Sequence, residues 1–227
     1  MAALLLGIAQ PALAGVFCVD TAVGLQSSLT TAAANAQDDE VRIVQGTYVG
    51  NFVYARTEAQ ALSVLGGYTV GCVDRTLDPV NTVLDGNQTN TVLVLSAPDV
   101  AADLLVEGVT LRNGKTMSGS YGGGLFANGS DGAVTVNSNR IENNTASFGG
   151  GAGIAGGVTA TLTNNSISGN TAVDGGGASI TVSVFPGTAT LTNNTFVGNM
   201  GLDCGGLWLS TSGYEYSGPR NLDMGLS

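Results

Sequence analysis

Histidine is absent from the 227 residues, and Lys and Arg together number seven against 17 Asp and Glu. The missing imidazole excludes Ser–His and Cys–His nucleophile systems and most zinc sites. A formal net charge of −10 argues against nucleic acid, which is held by basic side chains that neutralise phosphates. Charged residues make up only 11% of the chain, far from the Glu- and Lys-rich composition of helical proteins. After the first 15 residues, no apolar run is long enough to cross a bilayer as a helix.

What is abundant is glycine, with 35 residues, in a chain that is 43% hydrophobic. Glycine at about twice its average usage, without a collagen triplet, suits short strands joined by tight turns. The opening stretch "MAALLLGIAQPALAG" is an apolar run ending in Ala12-Leu13-Ala14. That is the pattern of a secretory signal peptide over residues 1–14, although no Lys or Arg precedes the run. Export places the cysteines in an oxidising compartment. Cys18 and Cys72 share the N-terminal third and are expected to pair. Closing such a loop stabilises a fold by about 4 kcal/mol on the chain-entropy model. Cys204 is then left over, as a buried thiol or an intermolecular partner.

The chain repeats itself. "NRIENNTASFGGGAGI" (139–154), "NSISGNTAVDGGGASI" (165–180) and "NTFVGNMGLDCGGLWL" (194–209) align without a gap. Asn139, Asn165 and Asn194 fall in one column, Ile141, Ile167 and Phe196 in a second, and Asn144, Asn170 and Asn199 in a third. Triple glycines begin at Gly149 and Gly175, with Cys204-Gly205-Gly206 in the last copy. A weaker copy carries Leu111 in the apolar column and Gly122-Gly123-Gly124 in the glycine block.

Before each block stands a segment that alternates with period two, "AVTVN" (133–137) or "TATLT" (159–163 and 188–192). Alternation of this kind is a strand with one buried face. Repeats so short, punctuated by Gly and Asn, leave no room for a helix in each. The architecture is therefore all-β, a parallel β-helix in which equivalent residues stack about 4.8 Å apart. Inward ladders are expected at Val136/Leu162/Leu191, Ile141/Ile167/Phe196 and Ala127/Ile154/Ile180/Leu209. Asparagine columns would bond from coil to coil, and the glycines would form a corner where backbones press together. Residues 15–40 read as an N-terminal cap whose helix carries Leu25, Leu29, Ala32, Ala33 and Ala36 on one face. The β-helix then fills 41–227, its repeats clearest from 104 to 209. Its early coils are read from "VRIV", "ALSVL", "NTVL", "TVLVL" and "DLLVEGVTL" (103–111).

The GGA or GGL blocks combined with "IENN", "ISGN" and "FVGN" resemble the repeats of polymorphic outer-membrane proteins. More widely, the chain is similar to exported bacterial right-handed β-helix proteins of the pectin-lyase-like superfamily. The resemblance implies a right-handed solenoid at the cell surface or outer membrane, or a secreted one, with adhesins among its relatives. The same scaffold also carries lyases and tailspikes, so it speaks for fold more than for function. One departure is the segment after "GGLWLS", which shows no threonine-rich strand or asparagine block. The last coil is expected to be incomplete and the chain to be a fragment of something longer. An uncovered last coil would associate end to end.

Candidate chemistry is sparse. Asp174 and Asp203 share a column just before the glycine block, with Phe148 and Tyr121 below. Stacked carboxylates could share a proton or hold Ca²⁺. With Arg140 as base, beside Arg112 and Lys115, they are the candidates for lyase or hydrolase chemistry. The alternative is two aspartates favouring a turn. Thr161 and Thr163 repeat as Thr190 and Thr192 one coil later, an outward array similar to ice-binding faces, although Ala133 and Asn137 below interrupt it. Trp208 faces outward, where it would make a capping contact with a further coil or, as the second reading, stack on a sugar. The reading is a non-catalytic adhesive or binding scaffold, without a required cofactor, whose partners are carbohydrate or cell-surface molecules. A polysaccharide lyase or glycoside hydrolase fragment is the alternative, and ice binding a third.

Overall fold

Apolar and polar residues alternate over only four or five positions before Asn or Gly intervenes, so each strand turns before it can lengthen. The computed structural model describes residues 14–57, 59–116, 119–156, 159–182, 187–211 and 222–225. Three parallel sheets form the faces of a solenoid. The first face stacks Gly15–Val19, Asp39–Val44, Leu62–Tyr68, Leu104–Glu107, Ala133–Asn137, Thr159–Thr163, Thr188–Thr192 and Leu222–Gly225. The second stacks Gly46–Val49, Thr82–Asp85, Thr110–Arg112, Arg140–Glu142, Ser166–Ser168 and Thr195–Val197. The third stacks Phe52–Ala55, Leu93–Ser96, Leu125–Asn128, Ala152–Ala155, Ala178–Val182 and Leu207–Thr211. Six successive coils each contribute one strand to each face, and the first face gains Gly15–Val19 below them and Leu222–Gly225 above.

The register sets the core. Val136, Leu162 and Leu191 pair in sequence up the first face, and all three are buried. Leu111, Ile141, Ile167 and Phe196 form the corresponding ladder on the second face, with Phe196 half-buried. On the third, Ala127, Ile154 and Ile180 are buried beneath a half-buried Leu209. Each such leucine or isoleucine contributes roughly 1.5–3 kcal/mol of burial.

Two strands were not legible in the early coils, Gly46–Val49 and Phe52–Ala55. Their aromatic residues, Tyr48, Phe52 and Tyr54, point inward and are buried. The segment "DLLVEGVTL" is two strands rather than one, because Gly108 turns the chain at φ 72°.

The helix Ala22–Ala34 closes the lower end. Thr21 Oγ1 accepts from Gly24 N at 3.0 Å and caps its first turn. Leu25, Leu29 and Ala32 are fully buried in the core shared with the coils. Ala36 does not belong to that face: the helix ends at Ala34, and Ala36 is exposed. Gln26 offers its side-chain amide to the lowest strand of the third face, donating to Val53 O at 2.9 Å and accepting from Val53 N at 2.8 Å. That pair of bonds occupies an edge that would otherwise recruit another chain. Cys18 and Cys72 are disulfide-bonded, with Cα atoms 5.8 Å apart across a separation of 54 residues.

The upper end of the first face carries one further strand. Leu222–Gly225 pairs in parallel with Thr188–Thr192, so the first face continues by one strand beyond the last "TATLT".

Leu162 and Thr161 are neighbours with opposite fates, one fully buried and the other half-exposed on the outer face. Leu162→Asp should lower the unfolding free energy by roughly 3–5 kcal/mol, through an unpaired buried charge. Thr161→Asp should change it little. Chemical denaturation of the two variants checks the assignment, and equal losses would mean that the faces are wrongly assigned.

Candidate functional site

Turning a coil buries polar backbone that no neighbouring strand can serve. The chain meets this with a two-residue corner, a left-handed residue followed by an asparagine. Ser138, Asn143, Asn164 and Asn193 take φ between 54° and 56°, and Gly169 and Gly198 supply the same turn at 63° and 61°. The asparagines that follow point inward. Asn144 Nδ2 donates to Leu111 O and to Asn170 Oδ1, both at 3.0 Å, while its Oδ1 accepts from Gly114 N at 2.7 Å. Asn170 repeats this with Ile141 O and Asn199 Oδ1. The parallel column runs from Asn139 through Asn165 to Asn194, where Nδ2 reaches Leu162 O at 2.7 Å. Asn144 and Asn170 are fully buried, and Asn139 and Asn165 nearly so. Their polar atoms all find partners, so their role is structural.

The glycine corner leads to the third face. Gly122, Gly149 and Gly175 take φ of 65°, 62° and 64°, which only glycine adopts without strain. The second and third glycines are needed for closeness instead. A β-carbon on Gly150 would lie 2.5 Å from Gly176 O, and one on Gly151 would lie 2.5 Å from Gly177 O. In the last copy Cys204 occupies the left-handed column, and the pairing shifts there. Thr171 and Ala172 oppose Met200 and Gly201, but Asp174 then opposes Cys204. Leu202 and Asp203 bulge out against the single residue Val173. Asp174 and Asp203 are therefore not in one strict column, as their alignment implied.

Just outside this corner runs a ridge. Tyr121, Phe148 and Asp174 stack through successive parallel bridges. The Tyr121 and Phe148 rings are stacked at 4.8 Å between centroids, and Phe126 lies 6.3 Å from Tyr121. On the last coil Cys204 takes the position opposite Asp174, and Trp208 lies beside it on the third face, against the corner at Gly175. Gly153 and Ser179 lie between Phe126 and Trp208 in the third-face register. Gly153 is small because the corner backbone leans over it: a β-carbon there would sit 2.7 Å from Gly122 N. Tyr121 is 40% exposed and Trp208 38%.

The bulge brings the carboxyl groups of Asp174 and Asp203 into electrostatic contact. Asp174 Oδ1 is sealed from solvent with no hydrogen-bond partner. Burial first, and the neighbouring Asp203 second, push the Asp174 carboxyl above its usual range. Among the described residues, no group of three or more His, Cys, Asp or Glu side chains converges as a metal site.

Arg140 is elsewhere. It lies on the second face, bound to Glu142 at 2.6 Å, beside a cleft of about 210 Å³ lined by Val80, Val83, Thr110, Arg112, Arg140 and Glu142. Arg112 in turn pairs with Asp85 at 2.8 Å. Burial works against ionised Asp85, yet bonds from Asn87 N, Asn113 and Arg112 hold its carboxyl below the usual value. The three residues selected for lyase-type chemistry are thus divided between a corner and a different face. Thr161 and Thr163 pair with Thr190 and Thr192 in strict register. Ala133 and Asn137 end the array below, and Asp223 and Gly225 take the positions above. Cys204 is a free, half-buried thiol whose Sγ lies 3.0 Å from Leu207 O. Sequence placed Tyr121 and Phe148 in one column but did not show that their rings stack. The one signal was the recurrence of a large residue immediately before the first glycine.

A solenoid of parallel coils that carries its distinctive side chains on an outer ridge is the class these features define. Residues 66–218 match the family model of the right-handed β-helix region, and the chain belongs to that family. No match emerges among curated proteins or solved structures.

A carboxyl whose pKa is raised by folding weakens the fold above that pKa, and the penalty vanishes below the unfolded value of about 3.9. Asp203→Asn removes the facing charge and offers a donor to Asp174 Oδ1. The variant should therefore melt above the parent at neutral pH, with the advantage fading in acid. Thermal melts across the acid range check this; an advantage independent of pH would rule out repulsion between the two groups.

Proposed function

We infer that the chain is an exported, non-catalytic surface protein that binds a carbohydrate chain along the Tyr121–Phe148–Asp174–Trp208 ridge. The observation that carries this reading is the stacked aromatic pair with Asp174 one coil above it, and Asp203 and an accessible tryptophan on the last coil. Aromatic faces bind the apolar faces of sugars, and carboxylates accept from their hydroxyl groups. Ridge residues rise by about 4.8 Å per coil, a step comparable with that of an extended β-linked glycan. A net charge of −10 and the Asp174–Asp203 pair favour neutral or amino-bearing polymers over uronates. Likeness to polymorphic outer-membrane repeats and to the pectin-lyase-like superfamily supports a surface location. Met200 and Leu202, 63% and 83% exposed, leave apolar surface at the upper end, which supports end-to-end association as part of the same adhesive reading.

Native affinity gels containing neutral β-glucan, chitosan or polygalacturonate test the proposal. Retardation by one of the first two is expected. Tyr121→Ala and Trp208→Ala should each weaken it about tenfold, the loss of one or two stacking contacts of this size. No retardation by either polymer, or retardation that both variants retain, would overturn it. Release of unsaturated products from polygalacturonate would establish the enzyme alternative.

A further inference from the structure

Gly15 lies where the apolar N-terminal stretch meets the first strand, and its surroundings suit a group that the uncut chain lacks. Its backbone nitrogen has one proton, donated to Asp38 O at 2.8 Å. Directly opposite in the parallel register stands Asp39, only 4% exposed. A β-carbon on residue 15 would collide with Asp39 Oδ1, so the carboxylate rests against the Gly15 Cα, one bond from the nitrogen. Asp39 Oδ1 accepts from Asn35 Nδ2 at 3.2 Å, whereas Oδ2 is buried without a partner. Such an oxygen is costly to bury.

The other charges facing this carboxylate are Arg56 and Asp38. The Arg56 guanidinium donates to Ala32 O at 2.7 Å and also to Asn35 O and Gln60 Oε1. Asp38 Oδ1 accepts from Ala61 N at 2.9 Å. Burial raises the Asp39 pKa; Asn35 and Arg56 oppose the rise, and Asp38 adds to it. Ala14, by contrast, is exposed, and it ends the Ala12-Leu13-Ala14 pattern.

We propose that cleavage of the Ala14–Gly15 bond creates the missing partner, the Gly15 α-ammonium, which pairs with the buried Asp39 carboxylate. The catalyst is an endopeptidase that reads small residues at 12 and 14. Water breaks the amide: its oxygen leaves on Ala14 as a carboxylate, and its two protons end on the Gly15 nitrogen. Of the three protons then present, one remains on Asp38 O and two are free for Asp39. Removal of the leader thereby tightens the lowest strand of the first face. An ammonium held by a carboxylate has a raised pKa. Its contribution is complete below the unfolded amine value of about 7.7–8.0 and is lost as pH rises through the folded value.

The chain should be exported from a bacterial host with residues 1–14 in place and the product weighed intact. A mass beginning at Gly15 is expected, and any other start overturns the proposal. Lys115 is the only lysine, so in a Lys115→Arg background acetylation reaches the Gly15 amine alone. Acetylated protein should melt about 2–4 °C below the free-amine form at neutral pH, and the difference should close at alkaline pH and in Asp39→Asn. Equal melting of the two forms overturns the pairing. Should Asp39→Asn not fold, the acylation rate decides: the Gly15 amine should react about tenfold more slowly in folded than in unfolded protein, one pKa unit of protection. Equal rates overturn the proposal.

Discussion

Every coil of this solenoid must reverse direction three times without leaving backbone donors and acceptors buried and unpaired. That requirement governs the rest of the structure. Strands on the faces solve it by pairing with the coils above and below, but a corner faces inward with nothing alongside. Asparagine answers it with one acceptor and two donors on a short side chain. Each of Asn139, Asn144, Asn165 and Asn170 accepts from the coil before and donates to the coil after. The ladder works only if the preceding residue turns left-handed, which is why Asn, Ser or Gly stands before every ladder asparagine. Core, register and surface follow from that pairing.

The glycine corner obeys a different constraint. There the coils approach through backbone alone, and side chains are excluded by neighbouring carbonyl groups rather than by torsion. Once one corner lacks side chains, the residue before it is thrown outward and stacks with its equivalents. Tyr121, Phe148 and Asp174 owe their alignment to this exclusion. Substitution of Cys204 into the left-handed column breaks the pattern on the last coil, and the resulting bulge carries Asp203 toward Asp174. The ridge is thus a by-product of corner geometry.

Sequence made the repeated part of the fold legible because its columns state both the inward period and the turn chemistry. Ile141, Ile167 and Phe196 announce a buried ladder by recurrence, and Asn144, Asn170 and Asn199 announce a corner. The early coils were less clear, since "TYV" and "FVYA" have no repeated partner and their aromatic residues could face either way. The bulge was hidden because a gapless alignment places Asp174 against Asp203, whereas the extra residue between Gly201 and Cys204 moves the pairing by one. Recurrence in one repeat column identified Asp174 with Asp203 as neighbours, and Arg140 stands in a different column of the same repeat. The Asp39 site was invisible, because its meaning depends on a strand register 24 positions away.

Site-resolved amide hydrogen exchange on the folded chain tests the dependence on asparagine corners most directly. The amides of Val109, Gly114, Asn139, Asn144, Asn165 and Asn170 each donate to an asparagine side chain of the next coil. They should exchange as slowly as amides in the middle of the strands, and Asn170→Ala should accelerate the exchange of Asn144 along with its strand neighbours on both sides. Corner amides that exchange at loop rates while the strands stay protected would contradict the account.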